Sequence, residues 1–151
     1  MGCCDLYVRP VRLHHCVRSF ERHGTIPQGR ATGAPTATFR KFLGSTSNNV
    51  AEYTGVNACM ERALLQQHTH VLFEVDAMIE TNQLAHRNPW ACRAECLHTL
   101  HSRCVTIGNE LTSMGIIWEV RHIYREFNQT TDALANQSID EMDTNCASDG
   151  W

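Results

Sequence analysis

The sequence predicts an α/β domain: a mixed sheet with helices packed against it. Three observations carry that expectation. Short apolar runs alternate with stretches of helical period, in the order strand, helix, strand, helices, strand, helix. One run, Val71-Leu72-Phe73-Glu74-Val75, closes on an acid, Asp76, where open sheets place their functional edge. Finally, 151 residues, 42% hydrophobic and 19% charged, suit a single soluble core.

Each element has a local cause. Residues 1–37 are broken by Gly24, Pro27, Gly29, Gly33 and Pro35 and read as a divergent, basic, irregular segment. The domain proper is expected over 38–140, with an acidic, frayed tail at 141–151. Thr36 to Leu43 holds β-branched and aromatic residues and ends at Gly44, which predicts a strand. The polar turn Ser45-Thr46-Ser47-Asn48-Asn49 precedes a helix from Val50 to about Gln67, with Asn48 or Asn49 as cap. Tyr53, Val56, Met60, Ala63 and Leu64 recur there at three- and four-residue steps. His70 to Val75 is a buried strand, and Ala77 to Leu84 is a short helix resting on Met78, Ile79 and Leu84. After the break Arg87-Asn88-Pro89-Trp90, one long helix or two run from Ala91 to Met114 and stop at Gly115. Met60 and Met114 are expected in the core, and Trp90 partly buried. Ile116 to His122 is a further strand, Tyr124 to Asn128 a loop, and Asp132 to Ile139 a last helix capped by Thr130 or Thr131.

Three acids lie at places where carboxylates can converge. Glu52 is near the start of the first long helix, Asp76 ends a strand, and Asp132 opens the last helix, ten residues after His122. Each has a bland reading of its own, since an acid in a first helical turn is favoured by the helix dipole and Asp is a good helix cap. Taken together, they have the hard oxygen ligands that suit Mg²⁺ and phosphodiester chemistry.

The motifs around these acids resemble the type 1 ribonuclease H family, in its plant and bacterial reverse-transcriptase-like branch. Asn48-Asn49-Val50-Ala51-Glu52-Tyr53 looks like that branch's NN-x-AEY motif. Phe73-Glu74-Val75-Asp76-Ala77 sits where the family has its strand-ending G-D-S. The stretch from His122 to Asn136 is similar to H-V-x-R-E-x-N-x-x-A-D-A-L-A-N, with the His-to-Asp interval preserved. The resemblance implies a ribonuclease H-like fold with divergent or missing first strands. It also implies hydrolysis of the RNA strand of an RNA–DNA hybrid with two Mg²⁺ ions, or Mn²⁺ in their place. By the same resemblance Glu52, Asp76 and Asp132 are the metal ligands and His122 assists proton transfer or product release. Asn48, Asn49, Arg125 and Asn128 contact the nucleic acid. The family's opening motif, D-G-(G/S/A)-x-x-G-N-P-G, has no counterpart; Asp5 stands 47 residues before Glu52 without glycines after it. That departure keeps a second reading open, a catalytically impaired nucleic-acid-binding module or a retroelement-derived fragment.

Composition limits the alternatives. No apolar run approaches the ~20 residues of a membrane span. Residues 1–44 carry seven basic and two acidic side chains, whereas 45–151 carry six and fourteen, so the acidic part needs metal or the basic front end to tolerate phosphates. Eight cysteines without a signal-peptide pattern favour reduced thiols and an intracellular setting, cytoplasm or nucleus. Cys92, Cys96, His98, His101 and Cys104 crowd one segment, but C-x3-C-x-H-x2-H-x2-C lacks paired zinc knuckles; a helix with buried thiols and exposed histidines is the expected reading. A monomer is expected.

Overall fold

The structure, a computed structural model, describes residues 46–66 and 69–127, with the isolated positions 39–40, 43, 129, 133 and 146–147. In chain order the elements are β1 (Phe39–Arg40), α1 (Asn48–Gln66), β2 (His70–Val75), α2 (Met78–Gln83), α3 (Glu95–Ser113), β3 (Ile117–His122), a 3-10 turn (Arg125–Phe127) and β4 (Cys146–Ala147). β2 and β3 pair in parallel, from His70 opposite Ile117 to Val75 opposite His122. β1 and β4 form a separate antiparallel pair. Two residues of the tail expected to fray are thus in a strand.

Ser47 starts α1: its Oγ accepts the Val50 N–H at 3.3 Å and its carbonyl accepts the Ala51 N–H at 3.1 Å. The cap therefore lies one residue ahead of the asparagines, which are the first two residues of the helix. The end of α3 is a Schellman motif. Gly115, at φ 77°, donates to Thr112, and Ile116 donates to Leu111 at 2.9 Å. Leu111 and Ile116 are both buried in the core, and the chain passes straight into β3.

The core lies between the helices and one face of the sheet. α1 contributes Tyr53, Val56, Met60 and Ala63; α3 contributes Leu97, Cys104, Ile107 and Leu111; the strands contribute Val71, Phe73, Val75 and Val120. All of α1's expected inward residues except Leu64 are fully buried, Leu64 packing at the margin. Three expectations fail. Met114 is 49% exposed because it is the C-cap of α3, beyond the last turn that packs. Trp90 is 57% exposed, since it lies in the extended lead-in to α3 and only its backbone N–H is held, by Asn82. In α2, Met78 and Ile79 face outward, while Glu80, Gln83 and, just after the helix, Leu84 turn inward.

Trp118 fastens β3 to α3. Its indole lies directly over Gly108, meets Phe73 edge-on at 6.4 Å and donates to Thr112 Oγ1 at 3.1 Å. A Cβ at residue 108 would collide with the indole ring. Gly108→Ala is therefore expected to lower stability by about 1–3 kcal/mol through overpacking, outweighing the roughly 1 kcal/mol that alanine gains in helix propensity. The urea midpoint of the variant checks this.

Candidate active site

The parallel register sets the site. Val75 and His122 are direct partners, and Ile123 donates to the Val75 carbonyl at 2.8 Å. Asp76, one residue on, and His122 therefore share the carboxyl edge of the same strand pair. His122 meets Tyr124 edge-on at 5.5 Å, which props the imidazole at that edge. Arg125 is exposed in the 3-10 turn that follows.

Neither described acid fits its bland reading. α2 has Ala77 at its N-cap position, so Asp76 is not the N-cap residue of that helix. Glu52 is the fifth residue of α1, past the first turn, and only 8% exposed. The dipole argument, which needs a solvated first-turn acid, does not account for a carboxylate buried there. Asn48 is exposed and Asn49 half-buried at the tip of the same helix. Asp132 and Asn128 lie outside the described residues, as do Asp5 and all of the helix expected over 132–139 except Ala133.

A buried polar group behind the site carried no signal in the sequence. Tyr53, next to Glu52, donates from its hydroxyl to Gln83 Oε1 at 2.5 Å, tying α1 to α2. Gln83 in turn donates to the Ala91 carbonyl at 3.3 Å, ahead of α3. Glu80 is fully buried among these elements, and neither carboxyl oxygen has a hydrogen-bond partner. Burial pushes its pKa up to about 7; a poorly aligned backbone N–H of its own offsets part of that, and the negative charge of Asp76 adds to it. Glu80's charge is also felt at Tyr53 and at Cys104 of α3, whose pKa values are raised first by burial. Glu80 thus lies within electrostatic reach of all three.

Metal fit can be judged from the donors. Glu52 and Asp76 offer hard carboxylate oxygens of the kind Mg²⁺ takes. Among the described residues no three His, Cys, Asp or Glu side chains cluster closely enough to hold an ion, and the third expected ligand, Asp132, is outside them. The Cys/His segment follows its expected reading only in part. Cys104 is buried and its thiol pushed up to about 12 by burial, and His98 is exposed and bonds the Cys92 carbonyl at 3.0 Å, but Cys96 is exposed and Cys92 lies half-buried ahead of the helix. A thiol held protonated is a poor zinc ligand. No described helix is long and apolar enough to cross a membrane.

A family model described as reverse transcriptase-like matches residues 28–138. No curated protein sequence matches the chain. Three solved structures share the fold. The RNase H1 of the halophilic archaeon Halobacterium salinarum is 27% identical, with 67% of this chain and 72% of that one covered at a TM-score of 0.55. The N-terminal RNase H domain of Rv2228c from Mycobacterium tuberculosis is 24% identical, covering 68% and 69% at a TM-score of 0.58. LC11-RNase H1, solved in complex with RNA/DNA hybrid, is 23% identical, covering 68% and 73% at a TM-score of 0.55.

Glu80 gives the fold a pH dependence whose sign is fixed. Its acid form is the one the core accepts, so its contribution is fully present below the unfolded value near 4.5 and is lost as pH rises through about 7. That interval corresponds to about 3 kcal/mol. Urea unfolding of the wild-type chain and of Glu80→Gln across this range is expected to show the decline in the first and its removal in the second.

Proposed function

From the premise that the chain belongs to the reverse transcriptase-like family, we propose that it is a magnesium-dependent endonuclease that hydrolyses the RNA strand of RNA–DNA hybrids. The observation that carries this reading is the pairing of Val75 with His122, which puts a strand-ending carboxylate and an imidazole at one sheet edge. The RNase H-like fold and the buried Glu52 support it. Glu52, Asp76 and Asp132 would hold the metal. Bound there, two divalent ions supply an activated water and stabilise the leaving 3′ oxygen.

The chain's own residues have separate tasks. Asn48 and Asn49, at the tip of α1, offer side-chain amides to the hybrid backbone, where 2′-hydroxyls distinguish RNA from DNA. Arg125 follows His122 closely enough to contact phosphate beside it, with Asn128 in the same stretch. His122 is a proton carrier at the strand end, its ring nitrogens suited to take and return a proton as the phosphodiester is cut. The carboxylates also need a positive counterpart before they can face a phosphate, which makes activity depend on added Mg²⁺.

A second reading rests on one specific observation. The family's opening D-G motif has no counterpart in the sequence. A module lacking that ligand binds hybrid without cutting it.

Cleavage of a labelled RNA–DNA hybrid separates the two. The wild-type chain is expected to cut only with Mg²⁺. Asp76→Asn and Glu52→Gln should each lower the rate by about a hundred-fold or more, since even outer-shell partners of a metal cost 10–100-fold. Folded protein that retains hybrid in a low-salt gel shift but never cleaves it supports the binding module. Protein that neither cuts nor binds removes both readings.

A further inference from the structure

The outer edge of β3 carries a self-complementary pattern. Ile117 and Ile123 donate their backbone N–H groups toward β2, to Thr69 at 2.9 Å and Val75 at 2.8 Å. In a parallel strand the N–H and C=O of one residue point to the same side. The odd-numbered residues of β3 therefore serve β2, and Trp118, Val120 and His122 present their backbone groups away from it. No described strand pairs with that side. Among the described residues the one partner there is His86, whose Nε2 donates to the Trp118 carbonyl at 2.5 Å. A cleft of about 650 Å³ lined by His86, Arg87, Ile117, Trp118 and Glu119 opens beside the first half of the edge. An unpaired strand edge of this kind is a template for another strand.

The side chains say which strand. Glu119 and Arg121 are two residues apart and project from the same sheet face. Among the described residues neither has an ion-pair or hydrogen-bond partner, and both residues are half-buried. A charge pair left open on one strand, acid two residues before base, complements itself only under an antiparallel two-fold centred on the residue between them.

We propose that β3 is the interface of a homodimer, in which two copies pair antiparallel about Val120 and the sheet continues through both. In this register Val120 exchanges two backbone hydrogen bonds with Val120 of the second copy, and Trp118 exchanges two with His122 of the second copy. These are the outward-facing groups. The Trp118 carbonyl keeps a second lone pair for this contact beside His86. Glu119 then stands opposite Arg121 of the second copy, and Arg121 opposite its Glu119. Ile117, 47% exposed, meets Ile123 of the second copy. Sliding one strand by two residues would oppose Glu119 with Glu119, or Arg121 with Arg121, so the charges select one register. The sequence alone suggested a monomer; the unpaired edge and its open charge pair are what point to a dimer. The inference does not depend on the nuclease reading.

Sedimentation equilibrium of the full chain under reducing conditions, across the micromolar range, tests it. The wild type is expected to be in monomer–dimer equilibrium. Glu119→Arg and Arg121→Glu, each alone, oppose like charges twice and should weaken association roughly ten-fold or more. An equimolar mixture of the two variants restores opposite charges across the axis and should dimerise as the wild type does; this rescue also shows that both variants fold. A monomeric wild type overturns the proposal. So does a dimer indifferent to the single reversals, or a mixture that fails to recover when circular dichroism shows both variants folded.

Discussion

The in-register parallel pairing of β2 with β3 is the constraint on which the rest of the molecule turns. Two strands separated by more than forty residues end level with one another, at Val75 and His122. Everything placed just past those ends inherits the alignment, Asp76 on one side and Ile123 on the other. A slip of one residue would exchange the faces of a strand. Val120 and Trp118 would leave the helices, and the indole over Gly108 would lose its seat. The packing of Trp118 against α3 therefore does more than fill space, because it selects the register that brings the strand ends level.

α2 shows a different dependence. Six residues are too few for a helix to hold by propensity alone. Its place is set from outside: by the Tyr53 hydroxyl on Gln83, by Gln83 on Ala91, and by the burial of Leu84. Tyr53 adjoins Glu52, and α2 begins two residues after Asp76. The hydrogen bond at 2.5 Å between α1 and α2 thus links the segments carrying the two described carboxylates. Their relative placement is a property of the core, not of a surface loop.

Much of this was legible in the sequence, for physical reasons that differ by element. β2 has the expected bounds because a short apolar run, interrupted by Glu74 alone and ending in an acid, leaves little choice. α1 was readable from its long apolar stripe, and only its cap moved, to Ser47, whose hydroxyl makes the bond the asparagines were expected to make. The strand ends carrying Asp76 and His122 followed from the same runs. What stayed hidden depended on contacts between distant residues. β1 lies inside the strand expected over 36–43, but its pairing with the two-residue β4, more than a hundred residues on, left nothing to read in the sequence. α2 was misleading because in a six-residue helix the direction of the inward face is decided by neighbours; Met78 and Ile79 were given up to solvent so that Gln83 could meet Tyr53. Met114 and Trp90 failed because each sits just outside the helix whose apolar stripe it seemed to extend.

Glu80 is the costliest of those hidden features, and its position explains how the fold carries it. Two acids four residues apart cannot both be ionised cheaply when one has no water around it. Asp76 is half-buried at the open edge of the sheet, while Glu80 is wholly enclosed by α1, α2 and α3. Burial first, and then the neighbouring charge of Asp76, raise the pKa of Glu80 to about 7. A neutral acid without a hydrogen-bond partner still costs stability, but far less than an uncompensated buried carboxylate would. Removing the charge of Asp76, or admitting water behind α2, would lower the pKa of Glu80. The protonation of the core is in this way tied to the charge state of the sheet's carboxyl edge.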